Sequence, residues 1–272
     1  MHSSLIPVPP RQVTIDDAAS FVGTTPQAIR HCHEIGLLPE PEWGSDDRRY
    51  GYEDMIRLLW IRKMTDAGIA VDDIRDAVAD ATAAGADDHR VAGPLHRAVL
   101  SDFVTSRLTG LAAGSLRQAD LDTLLVTEWI FSPLGAAMQA DRFIALATTP
   151  GLRAESDRVD AAEEALDDTV ALDDPRVAQI AAERHTFETA LLAFIEDSGL
   201  SDGDEALLDA WDVLHPETTD DGGDEAGPGS GEGHESLSVK DAVGMMPYDW
   251  SPARQRCMEL AVELATQESP AS

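Results

Sequence analysis

The sequence predicts a mainly α protein: an N-terminal winged helix-turn-helix domain, a long dimerisation helix and an all-α C-terminal region. Three observations lead there. Two capped helix signals stand close together before residue 40, apolar residues recur at helical spacing as far as residue 214, and no strand-like alternation follows residue 52. With 272 residues, 43% of them apolar, the chain has material for one large or two ordinary domains.

The first element begins at Thr14-Ile15-Asp16-Asp17-Ala18-Ala19, with a hydroxyl at the N-cap and carboxylates in the first turn, where the helix dipole favours them. Gly23 ends it. A second helix starts at Thr24-Thr25-Pro26, with Pro26 at the first helical position, and runs to Gly36 as its C-terminal cap. Two short helices around a Gly-containing turn make a helix-turn-helix. Residues Glu40 to Tyr52 are polar and turn-rich around Gly44-Ser45-Asp46-Asp47, which suits a β-hairpin, or wing, with Arg48 and Arg49 on its returning strand. From Glu53 a helix resumes with Met55, Ile56, Leu58, Leu59, Ile61 and Met64 on its apolar face, and Gly68 stops it. Val71 to Val78 is another amphipathic helix.

Gly93-Pro94 opens the predicted long helix, in which Leu100, Phe103, Val104, Leu108 and Leu111 form an apolar seam. Such a seam closes against the same helix of a second subunit or packs on its own downstream helices, and periodicity does not choose between the two. Further helices are expected around Leu121–Phe131, Gly135–Ala147, Asp157–Val170, Pro175–Glu196 and Asp204–Leu214, with a last one at Ala253–Ala265 behind Tyr248-Asp249-Trp250-Ser251-Pro252. The resulting organisation is a disordered arm over 1–11, a winged helix-turn-helix domain over 12–82, a dimerisation helix over 88–113 and a helical effector or interaction region over 115–215. An acidic linker over 216–236, with no apolar residue larger than alanine from Asp220 to Gly233, is expected to be disordered, and 237–272 carries the last helix and tail.

Charge narrows the function. The chain holds 51 Asp+Glu against 20 Lys+Arg, a formal −31, and only Lys63 and Lys240 are lysines. Phosphate contacts need cations, so this total argues against nucleic acid. Its distribution weakens the objection: residues 1–80 hold 8 Lys+Arg and 14 Asp+Glu, net −6, and the remaining −25 lies downstream. Neither a membrane-length apolar run nor a signal peptide is present, so the expected compartment is the cytosol. Cys32 and Cys257 stand far apart without a CxxC, so reduced thiols are expected, with no metal and no cofactor.

On the second helix Gln27, Arg30, His31 and His33 follow Thr24 and Thr25 at its amino end, so hydroxyls, backbone N–H groups and a guanidinium can reach a phosphate or base edge together. Thr14, Arg48, Arg49 and Tyr50 complete the candidate DNA-binding set. The competing reading is that Arg30 and Arg48 pair with neighbours such as Asp16, Glu34, Asp46 or Asp47. His31-Cys32-His33 invites a metal, but consecutive helical positions diverge by about 100° and cannot converge on one ion. Enzyme signatures are thin: Pro228-Gly229-Ser230-Gly231-Glu232 misses the nucleophile elbow, His185 and Glu188 lack the partners of a di-metal bundle, and there is no P-loop. Trp129, Phe131, Met138, Phe143, Phe187, Phe194 and Trp211 fill the helical core or line an apolar pocket for a small apolar or cationic effector, with core filling the stronger reading.

The N-terminal residues resemble the MerR family of bacterial transcriptional regulators. Thr14 to Ala19 resembles its first helix, Thr25-Pro26-Gln27-Ala28-Ile29-Arg30-His31-Cys32-His33-Glu34-Ile35-Gly36-Leu37-Leu38-Pro39 its recognition helix and exit, and Arg48-Arg49-Tyr50 with Glu53 to Ile61 its wing and third helix. Ala67-Gly68-Ile69 with Val71 to Val78 resembles the fourth. The resemblance covers roughly residues 12–80. It implies a homodimer on pseudo-palindromic promoter DNA, transcription by RNA polymerase controlled through bending and untwisting of that DNA, and a variable C-terminal effector domain. Where the family often has Tyr-Tyr-Glu after the recognition-helix arginine, this chain has His31-Cys32-His33. Asp87-Asp88-His89-Arg90-Val91 lacks the cysteines of metal-sensing members, so no metal or redox effector is expected. The alternatives are a helical ligand- or protein-binding module that no longer binds DNA and, third, a metal-dependent enzyme.

Overall fold

A computed structural model describes residues 10–39, 49–83, 91–215 and 245–268. The protein is mainly α, and among the described residues its only β-pairing is two isolated antiparallel bridges, Val13 with Tyr50 and Val91 with Arg117. The chain divides into two compact units. One comprises Pro9–Phe143 with Gly203–Tyr248, the other Ile144–Asp202 with Asp249 onward.

In the first unit, α1 (Ile15–Val22) starts from a reciprocal cap: Thr14 Oγ1 accepts from the Asp17 N–H at 3.2 Å, and the Thr14 N–H donates to the Asp17 carboxylate at 3.3 Å. Gly23, at φ +69°, ends it in the left-handed region that L side chains disfavour. α2 (Pro26–Glu34) is capped by Thr25, whose hydroxyl accepts from the Ala28 N–H at 3.1 Å. Past its end, the N–H groups of Leu37 and Leu38 both return to the Cys32 carbonyl, at 2.8 and 3.2 Å. α3 (Tyr52–Asp66) buries the six apolar residues expected and also Trp60. α4 (Val71–Ala83) packs on it through Ile74 and Val78. The expected wing falls on residues 40–48, with Arg48, outside the described residues. What is described is its base, where Val13 and Tyr50 exchange two backbone hydrogen bonds of 2.9 Å.

The long dimerisation helix expected over 88–113 is corrected. Instead α5 (Pro94–Ala98) and α6 (Asp102–Arg107) are short and separate. The reason is local and chemical. Ser101 is an N-cap, its hydroxyl accepting from the Val104 N–H at 3.4 Å, and its own N–H donates to the Glu128 carboxylate at 3.0 Å. The chain then turns through Gly110 and Gly114, both at positive φ, so that Arg117 pairs with Val91 and the Ala92 N–H donates to the Leu116 carbonyl. A straight helix over that span would hold its ends on the order of 40 Å apart. Leu100, Val104 and Leu108 are accordingly buried within the unit, while Phe103 and Leu111 are half-buried.

α7 (Gln118–Ile130) is buried on most sides and packs against α3. Two polar links hold the pair: Trp60 Nε1 donates to Asp122 at 2.6 Å, and Lys63 pairs with the buried Glu128. On α5, His96 meets the Trp60 ring edge-on at 4.6 Å. α8 (Pro133–Thr148) follows. α11 (Asp204–Leu214) joins this unit through Asp204, which pairs with Arg107 at 3.0 Å, and through Trp211, which packs edge-on to Phe103 at 5.5 Å. Arg107 also pairs with Asp141, whose carboxyl burial pushes up to about 6 against the opposing pull of that guanidinium. Met245 to Tyr248 closes the unit: Met246 and Pro247 are buried, and the Tyr248 ring lies 5.2 Å from that of Tyr52.

In the second unit, α9 (Pro150–Glu164), α10 (Pro175–Asp197) and α12 (Pro252–Glu268) pack around Leu166, Val177, Ile180, Ala181, Ala253 and Cys257. Arg184 gathers Glu163, Asp160 and Glu188 between α9 and α10. Burial pushes the Cys257 thiol up to about 11, which keeps it protonated. The single region expected over 115–215 is therefore divided: α7 and α11 belong with the N-terminal helices, and α9 and α10 with α12.

Candidate nucleic-acid interface

The second helix presents one free face. Ile29 is 1% exposed and anchors α2 inward, while Gln27, Arg30, His31 and Glu34 are all exposed. Their spacing of three, four and seven positions sets them in one stripe on the helix surface. Among the described residues Arg30 and Arg49, both exposed, have no ion-pair partner. The competing expectation had Arg30 paired with Asp16 or Glu34. Instead Glu34 contacts His31 Nδ1 at 3.3 Å, and no ion pair joins Arg30 to Asp16. Thr25 keeps its hydroxyl proton available, because the cap uses only the oxygen as acceptor.

Three side chains hold the helix-turn-helix from behind by satisfying carbonyls that its sharp turns leave open. Trp129 Nε1 donates to the Phe21 carbonyl at 2.8 Å. Arg62 Nη1 donates to the Gly23 carbonyl at 2.7 Å. Arg75 donates twice to the Ile35 carbonyl, from Nε at 3.2 Å and Nη2 at 2.9 Å, fixing the exit of α2. None of the three was expected at this site. Each acts on a residue far off in the chain, and no local pattern marks it.

Several expected contacts lie elsewhere. Thr14 Oγ1 donates to the Asp17 carboxylate at 2.7 Å and accepts from its N–H, so this hydroxyl is engaged in both directions inside the cap. Tyr50 is 1% exposed and faces inward. Its hydroxyl lies 3.1 Å from His33 Nε2, and His33 Nδ1 lies 2.8 Å from the Pro39 carbonyl. A carbonyl only accepts, so Nδ1 carries the proton and, in the neutral ring, Nε2 accepts from the Tyr50 hydroxyl. His33 and Tyr50 thus brace the exit of α2 against the base of the wing, one residue from Arg49. Thr24 is half-buried at the turn. Arg48 lies outside the described residues.

The His-Cys-His run does not converge. His31 faces solvent, His33 is braced as above, and Cys32 is half-buried with its thiol pushed up by burial. Among the described residues no three His, Cys, Asp or Glu side chains gather as a metal site. Of the aromatics proposed for an effector pocket, Trp129 serves the turn, Phe131 and Met138 are exposed, Trp211 stacks on His215 at 3.7 Å, and Phe187 and Phe194 belong to the second unit.

A capped helix held by its neighbours with one polar, arginine-bearing stripe facing solvent, preceded by a short helix and a tight left-handed turn, defines a helix-turn-helix domain of the type found in DNA-binding transcription regulators. Residues 13–81 match the family model described as MerR HTH family regulatory protein, and this N-terminal part of the chain is a MerR-type helix-turn-helix. No curated protein and no solved structure matches the chain. Among the described residues no helix is long and apolar enough to cross a membrane.

Proposed function

We propose that the protein binds promoter DNA as a homodimer, seating α2 in the major groove and controlling transcription by RNA polymerase through distortion of that DNA. The observation that carries this reading is the stripe Gln27, Arg30, His31 and Glu34 on a helix whose remaining face is anchored. Gln and Arg offer bidentate donors and acceptors to base edges, and the Thr25 hydroxyl with the first N–H groups of α2 suits a phosphate. Arg49 beside the wing base adds a backbone contact. The half-buried Phe103 and Leu111 remain for a subunit contact, the other three seam residues being interior. A small apolar or cationic effector, if the protein takes one, would act by favouring the distorted complex.

The test is salt-titrated binding of the full chain to the DNA upstream of its own coding sequence. Binding that weakens as salt rises is expected. Arg30→Ala should relax sequence preference and reduce the log-log salt slope by about one unit, and Arg49→Ala should weaken all sequences alike with a similar slope change. Absence of binding, or binding indifferent to salt and to both substitutions, overturns the reading.

A further inference from the structure

A cleft of about 340 Å³ opens where the chain leaves α2, between that exit and the facing side chains of α3 and α4. Its size falls at the lower end of small-molecule sites, roughly 300–1,000 Å³. The buried side chains of Leu37, Leu38 and Val78 line it, with Pro39 and Ala79 exposed beside them. Arg57 of α3 and Arg75 of α4 supply its charge. In a chain with 51 Asp+Glu against 20 Lys+Arg, no carboxylate is among the described residues that line this cleft.

Arg75 already shows which group it takes. Its Nη1 pairs with the Asp72 carboxylate at 2.6 Å, while Nε and Nη2 hold the Ile35 carbonyl. The Asp72 side chain is 90% exposed, so that ion pair is screened by water and exchanges readily for another carboxylate.

We propose that this cleft binds a small organic acid, with its apolar body against Leu37, Leu38 and Val78 and its carboxylate on Arg57 and Arg75. The apolar lining draws hydrocarbon out of water, and the planar guanidinium fork matches a carboxylate through two parallel hydrogen bonds. A doubly charged phosphate would bring more charge to desolvate against the same apolar wall. Occupancy reaches the end of α2 directly, because the guanidinium that receives the ligand also fixes Ile35, the C-cap of that helix. The site stands whether or not α2 enters DNA.

The test titrates octanoate into the full ¹⁵N-labelled chain and follows the Leu37 and Leu38 amide signals and the Arg75 Nε–H signal by NMR. Two further probes separate the parts of the site: 1-octanol has the body without the charge, and inorganic phosphate the charge without the body. Octanoate is expected to shift all three signals saturably, with a dissociation constant on the order of 1 mM. The other two probes should bind at least tenfold more weakly. Arg57→Gln removes one cation, and Ala79→Asp sets a carboxylate at an exposed position of the cleft where it leaves the core intact. Each should weaken octanoate about tenfold or more. Equal binding of 1-octanol would reveal a groove that does not read charge, and equal binding of phosphate an anion contact with no use for the apolar wall; either overturns the proposal. So does the absence of saturable shifts, or an octanoate affinity unchanged in both variants.

Discussion

His33 Nε2 and the Tyr50 hydroxyl stand 3.1 Å apart, joining the end of the recognition helix to the base of the wing. The contact sets the register between the exit of α2 and the Val13–Tyr50 bridge. Tyr50→Phe removes the hydroxyl and keeps the ring in its buried place. It should lower stability by about 0.5–1.5 kcal/mol in denaturant titrations, and His33→Ala, which also removes the ring from the Pro39 carbonyl, should lower it further. Unchanged midpoints for both would show that the brace carries no energy.

Trp129→Phe keeps most of a half-buried ring and deletes only the donor to the Phe21 carbonyl. Hydrogen exchange at Thr24 and Thr25 should rise, and DNA affinity should fall with little change in salt slope, because the turn loosens while every cation stays in place. A reduced slope instead would show that loosening the turn withdraws a cation from the DNA.

Leu108→Ala separates the two fates of the apolar seam. Leu108 is fully buried inside its own unit, so the substitution should cost about 2–5 kcal/mol and leave the oligomeric state of the folded fraction as it was. Light scattering after size exclusion checks this. A stable, monomeric variant of a dimeric parent would restore the seam to the subunit interface.

Asp141 gives a pH dependence of defined sign. Its folded-state pKa, raised by burial to about 6 from an ordinary 3.8, means that the native protein binds more protons than the unfolded chain between those values. The contribution of this group is fully present below about 3.8 and is lost as pH rises through about 6. Thermal melts of the parent and of Asp141→Asn, measured from pH 4 to 7, should therefore show the parent losing ground relative to the variant as pH increases. A constant difference across that range would contradict it.

The helix-turn-helix was legible because its signals are local. Thr14, Gly23, Thr25 and Pro26 specify where α1 and α2 begin and end through atoms within a few residues. The break at Ser101 was less visible: Leu100, Val104 and Leu108 keep helical spacing on both sides of it, so one long helix and two short ones share the same apolar pattern. A hydroxyl followed by Asp102 was the available sign. Tyr50 and His33 fit a DNA contact by residue type, and only the fold reveals that they face each other. Trp129 lies 108 positions from the carbonyl that it satisfies, and no periodicity links the two.

That separation has a practical side. The family match ends at residue 81, which invites cutting there to graft the DNA-binding module onto another regulator. A fragment cut at that point would lose Trp129 from the Phe21 carbonyl, Asp122 from the Trp60 indole and Glu128 from Lys63. The compact unit that holds the helix-turn-helix runs over Pro9–Phe143 and takes in Gly203–Tyr248 as well, so inheritance and exchange of this head between regulators would need far more chain than its family signature marks.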